Sequence, residues 1–328
     1  MGIEERAELF QAAFSRLRTE IGKVIVGQAD VVENTLACFF ARGHVLIEGV
    51  PGLGKTMLVR TMAGACDLEF SRIQFTPDLM PADIVGTDIV HEDESGRRSF
   101  EFRPGPIHSQ IVLADEINRA TPKTQSAMLE AMQEGTVTIG RKTHVMKHPF
   151  FVMATQNPIE MEGTYPLPEA QLDRFLLKLK IEMPPKDELK LVLGRTTDAS
   201  APAPEVVLDA AQGEALRAFV RELVAADNIK DYAVRLVLAT HPDNEDAPES
   251  ARKFVRYGSS PRGAQALIIA GKVYAAMQGR LHVAFEDIRR AAYPALRHRI
   301  LLNFEGEAER ISTDRIISDI LEKVKEGE

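Results

Sequence analysis

The stretch that most limits this chain is "HVLIEGVPGLGKTMLVRTMA", residues 44–63. An apolar run enters it and a helical pattern leaves it. The joint holds Gly49, Gly52 and Gly54 with Pro51, Lys55 and Thr56. Such a joint is poor core material, but it is good material for holding phosphate. The spacing G-x-x-x-x-G-K-T, at Gly49, Gly54, Lys55 and Thr56, is a P-loop. Its glycines let backbone N–H groups curl round phosphate oxygens without Cβ clashes. The helix that follows presents its positive end to the anion. Lys55 then reaches the β- and γ-phosphates, and Thr56 offers a hydroxyl to Mg²⁺. The expected nucleotide-binding stretch is therefore Gly49, Pro51, Gly52, Leu53, Gly54, Lys55, Thr56 and Met57.

Other apolar runs repeat the pattern of buried strands: "FSRIQF" at 70–75, "SQIVLAD" at 109–115, "FFVMATQ" at 150–156 and "FLLKLKI" at 175–181. Helical patterns separate several of them, which argues for a parallel sheet covered on both faces. Two segments interrupt the alternation. "DIVHED", a turn at "ESGR" and "RSFEF" read as one β-hairpin, and "TVTIG-RKTHVM" reads as a second. After "EMPPKDE" the chain becomes mostly helical. The expected organisation is an α/β nucleotide-binding core over 1–184, including an N-terminal helix, and a small all-α domain over 185–328. In the N-terminal helix Leu9, Phe10, Phe14 and Leu17 are expected on one face.

Composition excludes more than it assigns. With 328 residues the chain is long enough for two domains of roughly 150 residues each. Its 48 acidic against 40 basic residues argue against bulk electrostatic binding to nucleic acid, though a local basic channel would be compatible. Cys38 and Cys66 fall in no disulfide or zinc pattern and read as small buried hydrophobes. No signal peptide is visible, and no run approaches the ~18 apolar residues of a membrane span. A cytoplasmic location is expected. His144, His148, His241, His282 and His298 form no ligand spacing.

Two further motifs carry chemistry. In "IVLADEINRA" a buried strand ends at Asp115 and is followed by Glu116. An aspartate at a strand tip beside a P-loop can hold Mg²⁺, and the adjacent glutamate can polarise an attacking water. In "FFVMATQNP" another strand ends beside Asn157, where its amide can sense the γ-phosphate or hold the water.

The order P-loop, "DEINRATPKTQSAMLEAMQEG", "ATQNP" and "TYPLPEAQLDRF" resembles the MoxR family of AAA+ ATPases over nearly the whole chain. The resemblance implies an AAA+ core with hairpin insertions, then a helical lid, with ATP bound between them and between subunits. It makes Lys55 and Thr56 Walker A, Asp115 and Glu116 Walker B, and Asn157 sensor 1. Thr56 and Asp115 become the Mg²⁺ ligands. Arg174 in "LDRF" matches the arginine finger that reaches a neighbour's ATP. Arg262 in "GSSPRGAQALI" matches sensor 2, expected to read the γ-phosphate in cis. Val26 and Gly27 lie where the family packs against adenine, and Arg119 falls near the subunit interface.

A guanidinium suits both arginine roles, because it spreads charge over fixed donors. Arg262 stands near a helix start, where the macrodipole disfavours a cation, so an anionic partner is expected for it. Two departures from the family pattern are Met161 and Val85. The implied activity is Mg²⁺-dependent ATP hydrolysis by a homo-oligomeric ring, a hexamer, with a chaperone-like task. The implied protein partner carries a von Willebrand factor A domain. Rival readings are a metal-chelatase motor subunit, a nucleotide-gated scaffold and a DNA remodeller. An intact Glu116 speaks against the scaffold.

Overall fold

The computed structural model describes residues 2–92, 98–140, 142–158, 164–197 and 202–327. Five short strands form the central sheet: β1 (Val45–Glu48), β2 (Phe70–Gln74), β3 (Ile111–Asp115), β4 (Phe151–Gln156) and β5 (Leu177–Lys180). Their order is β2-β3-β4-β1-β5 and every pairing is parallel. The apolar runs explain this. All five residues of β3 and the first five of β4 are buried, as a strand covered on both faces requires. The edge strand β2 is buried mainly at Ile73.

Because the strands run parallel, all their carboxyl ends meet at one end of the sheet. The P-loop, Asp115 and the residues after Gln156 gather there. The helix Lys55–Ala65 leaves the P-loop and buries Leu58, Val59, Met62 and Ala63 against the sheet. The N-terminal helix Ile3–Val24 buries Ala7, Phe10, Phe14, Leu17 and Ile21 at helical spacing. Leu9, expected on that face, is 48% exposed, because it falls one step outside the stripe.

Both hairpins are present. Gly86–Glu92 pairs antiparallel with Arg98–Pro104, and Thr136–Ile139 with Lys142–Val145. The expected turn of the first, "ESGR", lies outside the described residues. The two hairpins touch where Phe102 stacks on His144, ring centroids 3.9 Å apart. Val85 packs, half-buried, against the core at the base of the first hairpin. Met161 lies outside the described residues.

Beyond β5 the chain's described residues are mainly helical, with a two-stranded ribbon, Val255–Tyr257 with Leu301–Leu302, and an isolated bridge between Val224 and His282 that an all-α reading does not include. Its central helix, Pro261–Met277, packs against the helices Phe285–Leu296 and Asp227–Leu238, and also against the N-terminal helix. Leu267, Ala270, Val273 and Ala275 are buried in it. The core of this region is therefore continuous with the helical layer over one face of the sheet.

Candidate functional site

At the carboxyl ends of the strands lies a cleft of about 400 Å³. Pro51, Gly52, Gly54, Lys55, Thr56, Met57, Asp115, Glu116 and Asn157 line it. Gly52 and Gly54 have φ of 85° and 77°, the left-handed conformation that lets the loop turn its amides inward. Lys55 donates from Nζ to the Gly49 carbonyl at 2.5 Å. Burial lowers its pKa, and the Asp115 and Glu116 carboxylates partly offset that shift. Val26, Gly27, Gly49 and Leu53 do not line the cleft. The 26–28 turn is tied to it, since Gln28 Nε2 donates to the Leu53 carbonyl at 3.2 Å. Gly27 has φ of 66° and stands against the Glu188 carboxylate, where a Cβ would collide.

The two acids are held differently. Asp115 is 8% exposed. Its Oδ1 accepts from the Thr155 hydroxyl at 2.6 Å, and its Oδ2 accepts from Arg72 Nε and Nη2 at 3.0 and 2.7 Å. Glu116 has φ of 57°, a left-handed conformation unusual for a side chain of its size. The Thr155 hydroxyl stabilises this bend by accepting the Glu116 N–H at 2.8 Å. The bend turns the Glu116 side chain towards Gln74 Nε2, 2.8 Å away, and Arg119 Nη1, 2.9 Å away.

These residues suit a nucleoside triphosphate with Mg²⁺. Thr56 and Asp115 bring hard oxygen donors, and Mg²⁺ is ordinarily held by one or two such groups plus phosphate oxygens and water. A cage made wholly of protein is not needed, and among the described residues no cluster of three or more His, Cys, Asp or Glu could form one.

Arg174 and Arg262 are elsewhere. They line a second pocket, of about 220 Å³, together with Arg42, Arg221 and Arg299. This pocket sits at the amino ends of β1 and β5, between Ala41–His44 and Asp173–Leu176. A four-residue strand spans about 13 Å, so the two pockets are separated by the length of the sheet. Asp173 is the one carboxylate among the residues lining the second pocket. Its Oδ1 accepts from Arg299 Nε at 2.8 Å, and its Oδ2 accepts from the Ser260 hydroxyl at 2.8 Å. Arg262 Nη1 stands 3.7 Å from the same Oδ2.

Arg262, expected to read the γ-phosphate of its own chain, stands here at the opposite end of the sheet from the P-loop cleft. Asp173 anchors Ser260 and Arg299, and so fixes the start of helix Pro261–Met277 at the amino end of the sheet. The anionic partner expected for Arg262 is, within this chain, Asp173. Arg174 donates from Nη1 to the Leu129 carbonyl at 2.9 Å, which roots it at the pocket wall.

Sequence reasoning missed Arg72, Gln74, Thr155 and Asp173. The signal for the first two was polar residues at alternate positions of an otherwise apolar strand, "FSRIQF". Thr155 and Asp173 each stand next to a motif residue or two before it, with nothing in the spacing to mark them.

Comparison with known proteins shows the family and the fold. The family model described as "ATPase family associated with various cellular activities (AAA)" matches residues 44–177, and the "AAA lid domain" model matches 248–320. The chain is 42% identical over 310 residues to Chaperone MoxR1 of Mycobacterium tuberculosis, covering 93% of this chain and 80% of that protein. It is 45% identical over 308 residues to the uncharacterized protein YeaC of Bacillus subtilis, covering 93% and 92%. A crystal structure of a candidate ATPase from Cytophaga hutchinsonii superposes with a TM-score of 0.92 at 41% identity, over 99% of this chain and 98% of that one.

Proposed function

Since the chain belongs to the MoxR family of AAA+ ATPases, we propose that it hydrolyses Mg²⁺–ATP at sites shared between neighbouring copies of itself. The carrying observation is the division of the site residues between two ends of one sheet. Lys55, Asp115, Glu116 and Asn157 sit at the carboxyl end, and Arg174 and Arg262 at the amino end. One nucleotide cannot reach both within a chain. A neighbour that sets its amino-end pocket over this chain's cleft brings them together.

In this reading the P-loop amides and Lys55 grip the β- and γ-phosphates. Thr56 and Asp115 would hold the cation, which would supply charge neutralisation to the transferred phosphoryl group. Glu116 accepts a proton from the attacking water, and Asn157 orients that water or the γ-phosphate. Val26 and Gly27 flank the base. Both Arg174 and Arg262 come from the neighbour and meet the charge that develops on the phosphoryl oxygens. Asp173 sets the position of Arg262.

We assign the core to 1–184 and the lid to 185–328. The assembly is a homo-oligomeric ring, a hexamer, working in the cytoplasm as a remodelling or maturation factor with a von Willebrand factor A partner. The family resemblance, including the relative named a chaperone, supports this task. Among the described residues no helix is long and apolar enough to cross a membrane.

Mixing two inactive variants tests the shared site. Glu116→Gln and Arg174→Ala chains are each expected to be nearly inactive alone. Mixed, they regain ATP hydrolysis, because some interfaces then pair an intact Glu116 with an intact Arg174. A mixture as inactive as its parts would mean that each site is completed within one chain.

A further inference from the structure

We propose that Arg72 is the resident counter-cation of Asp115, braced by Gln74, and that it yields the carboxylate when a nucleotide-borne divalent cation arrives. The proposal rests on the Mg²⁺–ATP reading above.

Arg72 and Gln74 project from the same face of β2, two residues apart, and Gln74 is the register partner of Asp115. Asp115 Oδ1 is taken by the Thr155 hydroxyl at 2.6 Å. Oδ2 is the oxygen left to face a cation, and Arg72 covers it with two N–H groups. Arg72 Nη2 also donates to Gln74 Oε1 at 2.6 Å. The amide of Gln74 is thereby oriented, its nitrogen turned to Glu116 Oε2 at 2.8 Å. A chain of hydrogen bonds thus runs from Asp115 through Arg72 and Gln74 to Glu116.

Burial decides which partner moves. The Asp115 carboxylate is 12% exposed and pinned by Thr155, whereas the Arg72 side chain is 49% exposed. The guanidinium is free to swing out into solvent, whereas the carboxylate is held at the cleft wall. A divalent cation and a guanidinium on the same oxygen repel strongly. Arg72 lines the same cleft as Lys55 and Thr56, so a cation held against Thr56 meets it directly. Until then Arg72 supplies the buried carboxylate with a directly bonded cation, beyond the field of Lys55, and so lowers the cost of burying its charge.

Cation binding, not turnover, provides the test. A non-hydrolysable ATP analogue is held at saturating concentration. Mn²⁺ is titrated in, and free Mn²⁺ is read by electron paramagnetic resonance for wild type, Arg72→Gln, Arg72→Lys and Gln74→Leu. Arg72→Gln removes a charge-assisted contact that the cation must otherwise replace, so its midpoint falls about tenfold. Arg72→Lys keeps a cation in place and stays near wild type, and Gln74→Leu shifts the midpoint down by less than Arg72→Gln. An unchanged or raised midpoint in Arg72→Gln overturns the proposal, because Arg72 would then be holding Asp115 ready for the cation. Wild type that binds no Mn²⁺ with the analogue would remove the Mg²⁺–ATP reading, and the proposal with it.

Discussion

The P-loop cleft and the arginine pocket sit at opposite ends of one sheet and are built in opposite ways. The cleft comes from strand tips and a loop, and its acids already carry internal cations, Arg72 and Arg119. The pocket gathers five arginines from five separate segments around Asp173. In the proposed reading the cleft receives phosphate and brings its own metal ligands. The pocket has an excess of guanidinium and no phosphate-binding loop. In the proposed reading the chain's two ends complement each other rather than duplicate each other. A surface with surplus positive charge at one end and a phosphate cradle at the other can assemble head to tail, and a closed ring follows when the rotation closes.

Removing one end at a time breaks the comparison most sharply. Arg174→Ala is expected to lower kcat by about 10³ or more, the scale of an arginine finger, while nucleotide affinity changes little. Its activity should not be restored by raising protein concentration. Glu116→Gln attacks the other end, with a loss on the order of 10²–10⁴ in kcat and nucleotide binding retained. Steady-state hydrolysis beside equilibrium nucleotide binding separates the two. If Arg174→Ala left kcat within a few-fold of wild type, the pocket would have no part in the chemistry.

The next test asks whether the pocket depends on its single acid. Arg299 is nearly fully buried, and burial lowers its pKa against the pull of Asp173. Asp173→Ala strands that guanidinium and removes the anchor of Ser260. The expected cost in stability is about 3 kcal/mol, read by denaturant unfolding. Arg262 is released as well, so hydrolysis should fall further than the stability loss explains. Asp173→Ala with wild-type stability would mean that Arg299 is carried by the backbone carbonyls of Phe175 and Leu176, which it also contacts.

The two ends also differ in how far they can be read from the chain. The P-loop, Asp115–Glu116 and Asn157 were legible because each lies at the end of an apolar run, and parallel strands bring such ends together. Arg72 and Gln74 were not, since only the strand order makes β2 an edge beside β3. The arginine pocket was hardest. Arg174 carries a recognisable local motif, but the place of Arg262 depends on how the lid travels. A contact between Asp173 and Ser260, remote in the chain, decides that path. Local propensity carries no information about it. The hairpins were legible as alternating patterns, whereas their mutual contact through Phe102 and His144 was not.

At neutral pH the smallest expected effect is that of His44, which appears as a pH dependence and should separate the two ends. His44 forms part of the arginine pocket's wall. Its Nδ1 accepts from the Val152 N–H at 3.0 Å, which leaves Nε2 to donate to the Met132 carbonyl at 3.0 Å. Both nitrogens are thus satisfied in the neutral ring, and protonation would break the first bond. Burial, helped by the nearby Arg217 charge and opposed by the hydrogen bond to Met132, pushes the pKa of His44 down to about 4. An unfolded imidazole titrates near ~6.5, so the unfolded chain takes up the proton first. The stability His44 contributes is full above about pH 6.5 and is lost as the pH falls towards 4, by up to about 3 kcal/mol. His298, also buried with its pKa lowered by burial, adds to the same slope, so wild type must be compared with His44→Gln at each pH. The variant should be less stable than wild type at pH 7, and the gap should narrow by pH 4.5. A gap that stays constant would mean that His44 has the same pKa in the folded and the unfolded chain, and that acid does not loosen the arginine pocket ahead of the cleft.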